Sequence, residues 1–123
     1  MIEGKFGDNE ELIFPIEIIA AEGLEFEIDA ILDTGFSEWL AIDKQDVDEL
    51  GWLYVTNQSM QTARRFDKFD IYLGKVRIDK QEFDIPVHAA IGVTDILLGR
   101  KWLRNRQLVV DMASGVLTLG ENP

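Results

Sequence analysis

A chain of 123 residues without cysteine has the length of one domain and holds no disulfide, thiol nucleophile or thiolate metal site. Its composition, 46% apolar and 28% charged, is that of a globular domain, and a chain this long buries roughly two-thirds of its unfolded surface. A net charge of −11 speaks against nucleic-acid binding and against docking on anionic lipid.

Residues 1–11 are polar, carry two glycines and read as a loose N-terminal arm ahead of a single domain over 12–120. They are too acidic for a signal peptide, and no apolar run approaches the ~18 residues of a membrane span. A soluble cytoplasmic protein is the expectation. Leu12 to Ala21 is rich in Ile and Phe, with Pro15 marking an edge or broken strand. Glu22-Gly23 reads as a turn. Leu24 to Ala30 then alternates apolar and polar, the period of a strand with one wet face. At Ala30-Ile31-Leu32 the alternation stops, and the strand is expected to enter the interior and carry Asp33 with it.

Glu38 to Ile42 reads as a short strand, and Asp43 as the N-cap of a short helix whose Val47 and Leu50 face inward and whose stop is Gly51. Trp52 to Val55 is a further strand. The polar stretch from Thr56 to Lys68 fits an extended hairpin or a mobile loop. Phe69–Leu73 and Val76–Ile78 are strand-like around a bend or bulge at Gly74, followed by a tight turn at Asp79-Lys80. Phe83 to Ile91 is a strand region interrupted by Pro86. Ile96-Leu97-Leu98 is a short buried strand, and Arg100 to Arg106 a second short helix. Leu108–Val110 and Val116–Leu119 form a terminal hairpin. Many short strands and two short helices predict a mostly β protein built as a closed sheet or small barrel.

A carboxylate at the end of an apolar strand is costly unless it is hydrogen-bonded or shares charge, so Asp33 is a candidate for chemistry. Asp33-Thr34-Gly35-Phe36, followed far downstream by Leu97-Leu98-Gly99-Arg100 and Trp102-Leu103, resembles the retropepsin-like aspartic proteases, in particular small single-domain bacterial and archaeal members. The resemblance covers roughly 12–119. It implies an acid-protease closed barrel with one catalytic loop per subunit. It implies an aspartic endopeptidase, acting on peptide or unfolded protein, in which Asp33 meets its symmetry mate across a homodimer. Two carboxylates in contact cannot both ionise and share a proton.

The same resemblance gives Thr34 the task of bracing the opposite loop and Gly35 that of letting backbone approach the carboxylates. Leu97, Leu98 and Gly99 would pack beneath the loop. Ser37 stands where many viral relatives carry the acidic partner of the Gly-Arg arginine, which leaves Arg100 to pair with Glu38, with Asp95 or with nothing. By position the family's flap over the substrate should fall within about Thr56–Ile71, with Gln61, Thr62, Ala63, Arg64 and Arg65 as candidate flap residues, and the stretch contains no glycine. No metal or organic cofactor is implied. The competing readings are a catalytically idle module of the same fold that dimerises or binds peptides, and a monomeric barrel in which Asp33 is a structural cap.

His88, the single histidine, has no Gly-x-Ser-x-Gly partner and reads as a structural or surface residue. Asp111 fits a turn aspartate that bonds nearby amides. Asp29 and Asp95 read as solvated or ion-paired. The acidic clusters at 8–11 and 43–49 lack calcium-loop spacing and read as solvated faces. The basic residues Arg100, Lys101, Arg104 and Arg106 read as balancing nearby carboxylates, with a contact for an acidic partner as the alternative. Trp39, Trp52 and Trp102 read as core or interface aromatics.

Overall fold

A computed structural model describes residues 1–61 and 66–121. In chain order the strands are β1 (Ile2–Glu3), β2 (Lys5–Phe6), β3 (Leu12–Ile19), β4 (Glu25–Leu32) and β5 (Leu40–Asp43). Helix α1 (Lys44–Asp48) and the strands β6 (Leu53–Gln61), β7 (Phe66–Ile78), β8 (Gln81–Ala90) and β9 (Leu97–Leu98) follow. A 3-10 helix (Arg100–Arg104) leads into the terminal hairpin of β10 (Arg106–Asp111) and β11 (Val116–Glu121).

The strands β3-β4-β9-β5-β8-β7 lie side by side in that order, and β3 pairs again with β7 through Glu17–Arg77, Ile18–Val76 and Ile19–Lys75. The sheet is therefore a closed six-stranded barrel, with β2 added at β3 and β6 at β7. Closure removes the free strand edges that an open sheet would present. Inside, Phe14, Ile16, Ile18, Ala30, Leu32, Leu40, Val76, Val87 and Leu98 form the core. One cross-strand row, Leu32–Leu98–Leu40–Val87, crosses the middle of it.

Several expectations change. The arm over 1–11 is built into sheets rather than loose: β1 pairs with β11 (Ile2–Leu119, Glu3–Thr118) and β2 with β3. Strand ladders are made by backbone, so a polar, glycine-containing segment pairs wherever an edge is offered. Pro15 does not break β3. It lies between the stretch that pairs with β2 and the stretch that pairs with β7, where no ladder bond is needed on that side. Pro86 likewise sits inside an unbroken β8, just before the pairing with β5 begins at Val87. Gly74 is no bend. A Cβ there would lie 2.5 Å from Val87 Cγ2 and 3.0 Å from the Trp52 ring, so the glycine makes room for Trp52. The region after Gly99 forms a 3-10 helix that ends at Arg104, and Arg106 already belongs to β10.

Local signals elsewhere match the sequence. The Asp43 carboxylate accepts from the Gln45 amide at 2.8 Å and caps α1; Val47 and Leu50 are buried, and Gly51 takes the left-handed conformation (φ +69°) that ends the turn. Asp79 and Lys80 both have positive φ (53° and 65°), the geometry of a type I′ hairpin turn between Ile78 and Gln81. Lys80→Gly relieves the left-handed strain at the second turn position. It is expected to raise stability by about 0.5 kcal/mol, set by the ~1 kcal/mol cost of left-handed L-residues against the entropy of glycine. A higher urea midpoint at unchanged slope checks this.

Candidate active site

Asp33 leaves β4 at the point where the chain turns out of the barrel. Ile31 N–H donates to Ile96 O at 2.8 Å and Asp33 N–H to Leu98 O at 2.9 Å, which ties the end of β4 to β9. The Gly35 amide then donates to Asp33 Oδ1 at 2.9 Å, and Phe36 N–H to Asp33 O at 3.1 Å. The carboxylate is thereby oriented by its own loop. Asp33, Thr34 and Gly35 are exposed in the single chain, while Leu32 is buried. The expectation that the strand carries Asp33 into the interior is thus corrected. Burial ends at Leu32, and the aspartate is presented at the surface.

Leu97, Leu98 and Gly99 come together under this loop. β9 runs parallel to β4 (Ile31–Leu97, Leu32–Leu98) and antiparallel to β5 (Ala41–Leu97, Leu40–Leu98), so two residues of strand join both flanks of the loop. Gly99 N–H donates to Trp39 O at 3.0 Å, and Arg100 N–H to Phe36 O at 2.9 Å. A Cβ on Gly99 would stand 1.7 Å from Glu38 O, so the Phe36–Trp39 segment crosses directly over this backbone. Trp102 is fully buried; its Nε1 donates to Trp39 O at 2.8 Å and its ring meets that of Trp39 edge-on at 4.8 Å.

The Arg100–Glu38 ion pair is corrected. Glu38 pairs with Lys101 at 2.7 Å, whereas the Arg100 guanidinium donates to Thr34 O at 3.4 Å. The first residue of the 3-10 helix is aimed at the loop tip and the second at Glu38. Thr34, Ser37, Arg100, Lys101, Leu103 and Arg104 line a surface notch of about 460 Å³, whose hydroxyls and cations suit an anionic group.

On the hairpin, β6 and β7 pair from Leu53–Leu73 to Gln61–Phe66, with an irregularity between Tyr54 and Thr56. Of the sequence alternatives for 56–68, the described residues 56–61 and 66–68 take the extended, paired form. Gln61 ends β6, and the other candidate flap residues, Thr62, Ala63, Arg64 and Arg65, lie outside the described residues.

His88 occupies a place that the sequence did not reveal. It lies in the cross-strand row Leu97–Ala41–His88–Ile71, on the face of the sheet opposite the barrel core. It is 2% exposed, and the rings of Phe36 and Phe69 both meet it edge-on at 5.7 Å. Neither ring nitrogen has a hydrogen-bond partner among the described residues. Leaving such a group unpaired costs about 1–3 kcal/mol. Burial pushes its pKa below the ordinary histidine value; Glu38 acts against this and Lys101 with it. The alternation of Val87, His88 and Ala89 in the sequence shows that His88 faces away from the core, but not that a loop covers it.

The other carboxylates are accounted for locally. Asp29 pairs with Lys5 at 3.1 Å, and Asp95 is exposed. Asp111 accepts from Ser114 N–H at 3.2 Å, and hydrogen bonding from Ser114 lowers its pKa. Among the described residues, no group of three or more His, Cys, Asp or Glu is placed to hold a metal ion, and no helix is long and apolar enough to cross a membrane.

No protein-family profile and no curated protein matches the chain. Among solved structures, it is similar to a retropepsin-like aspartic protease from Rickettsia conorii, with TM-score 0.64 and 24% identity over 98% of this chain and 89% of that one. It is also similar to the simian foamy virus (mac) protease, with TM-score 0.50 and 16% identity over 72% of this chain and 93% of the other. Such identities speak for architecture. The six-stranded barrel with one Asp-Thr-Gly loop held on a two-residue strand is, accordingly, the retropepsin-like fold.

Proposed function

We propose that the chain is an aspartic endopeptidase, active as a homodimer in which the Asp33 carboxylates of two copies form one catalytic pair. The observation that carries this reading is the state of Asp33: exposed, oriented by the Gly35 amide and braced from below by Leu98 and Gly99. At this position of a retropepsin-like fold, a carboxylate so fixed and so open in one chain fits half of a two-carboxylate site. The names of the two similar structures, both proteases, support the same reading.

The chemistry follows from the shared proton. The ionised carboxylate takes a proton from a water molecule held between the pair. The oxygen of that water bonds to the scissile carbonyl carbon, and the protonated carboxyl gives its proton to the carbonyl oxygen. Collapse of the tetrahedral intermediate breaks the C–N bond as the protonated carboxyl gives its proton to the amine and the ionised carboxylate takes one from a hydroxyl of the intermediate. The pair then returns to its singly protonated state. Thr34 braces the partner's loop, and the β6–β7 hairpin covers the bound peptide. Rigidity under Asp33 serves this chemistry because small misplacement of the acid costs large factors in rate.

The test combines sedimentation with cleavage of an unstructured polypeptide between acid and neutral pH. The expected result is a dimer whose rate per chain rises with protein concentration and which a hydroxyl-bearing peptide isostere inhibits. A monomer at tens of micromolar that never cuts would overturn the reading in favour of a structural barrel. A dimer that binds peptide without cutting would favour the idle module.

A further inference from the structure

We propose that His88 is a positioning residue for the Asp33 loop: its neutral ring is the wedge that seats Phe36 of that loop against Phe69 of the β6–β7 hairpin, and a proton on the ring unseats both. The part that concerns activity rests on the endopeptidase reading above.

Three features lead there. The ring is buried at 2% exposure with both nitrogens unpartnered among the described residues, a place that a leucine or phenylalanine would fill without that cost. Its two ring neighbours belong to the Asp33 loop and to the β6–β7 hairpin. Phe36 donates its amide to Asp33 O and accepts from Arg100 N–H, so displacement of Phe36 displaces the aspartate. Phe69 pairs with Gln58 within the hairpin. Finally, His88 sits in the ladder between Ala41 of β5 and Ile71 of β7, and so joins the strand that follows the loop to the strand that carries the hairpin.

Among the described residues, an imidazolium here finds no counter-ion in contact. On the loop, Glu38 is held by Lys101 at 2.7 Å, so one opposes the effect of the other, and Asp33 is turned to the Gly35 amide. On the 3-10 helix, Arg100 is turned to Thr34 O. On β7, Asp70 is paired with Lys44 at 2.7 Å, and at the end of β5 Asp43 caps α1 and accepts from Gly92 N–H. On β8 the flanking residues Val87 and Ala89 are apolar. The native pKa is therefore below the ordinary value of 6.5, chiefly through burial. The stability that the neutral ring contributes is whole above 6.5 and is lost as the pH falls from there through the native value. Acidity that favours a shared proton on the aspartates thus also loosens the loop that holds them, and the working range has a lower bound set by this ring.

His88 is the only histidine, so its Cε1–H resonance in the intact full-length protein reports its titration directly. The expected result is a midpoint below 6.5, with the Gly35 and Phe36 amides shifting at the same midpoint and kcat/KM falling on its acid side. His88→Phe, and His88→Leu as a second filling in case the larger ring is not accommodated, should abolish that amide transition. They should also move the acid limb of kcat/KM to lower pH by about one unit or more, tenfold in proton concentration. Loop amides blind to the histidine titration, an ordinary midpoint, or an acid limb unmoved in both variants would each overturn the proposal. If no peptide is ever cut, the endopeptidase reading falls by itself, and the amide transition alone decides the role of His88.

Discussion

Asp33→Asn is expected to lower kcat/KM by at least about 10³-fold, within the range for loss of a general acid–base group, while the dimer and its thermal midpoint persist. The side chain is exposed in the single chain and an asparagine keeps an Oδ1 acceptor for the Gly35 amide, so the loop loses no hydrogen bond. What disappears is the capacity of the pair to take a proton from water. A mixing experiment separates this from a folding defect. Excess Asp33→Asn chain added to the native chain should suppress activity through mixed dimers that hold one carboxylate. Full activity in the variant would sink the endopeptidase reading.

The second large effect concerns stability. Gly99→Ala places a methyl group 1.7 Å from Glu38 O, 2.6 Å from Glu38 C and 2.9 Å from Phe36 Cδ2. Two of these contacts are backbone, and the segment cannot retreat without breaking the bonds from Gly99 N–H to Trp39 O and from Arg100 N–H to Phe36 O. A loss on the order of 3 kcal/mol or more is expected, at the upper end for overpacked sites. Any residual folded protein should have a displaced Phe36–Trp39 segment and no peptidase activity. Urea unfolding measures the first effect. A native-like midpoint would contradict the close crossing of loop over glycine.

Much of the site was legible in the residues because its signals are local. An apolar run ending in Asp-Thr-Gly, a hydrophobic pair ending in Gly-Arg, Asp43 ahead of a short helix and Asp79-Lys80 between two strands each act within a few positions. The turn and the cap formed where they were read. What stayed hidden depends on partners distant in sequence. The pairing of β1 with β11 cannot be inferred from a polar dipeptide, because a ladder needs only backbone and an available edge. Gly74 looked like a bend, yet its reason is the Trp52 ring against it. The choice of Lys101 over Arg100 for Glu38 turns on a single residue of rotation in a tight helix. Asp33 was expected inside because the strand before it is apolar, but where a strand emerges from a barrel is decided by closure, not by its own composition.

The parallel pairing of Ile31–Leu32 with Leu97–Leu98 bears on when the site comes into being. The Asp-Thr-Gly loop is synthesised well before Leu97, Leu98 and Gly99, which hold it from far downstream in the chain. Until then Asp33 sits on an unsupported turn, and closing so long a segment of chain is itself slow. A nascent chain therefore carries Asp33 without the scaffold that aims it until Leu97, Leu98 and Gly99 have been made.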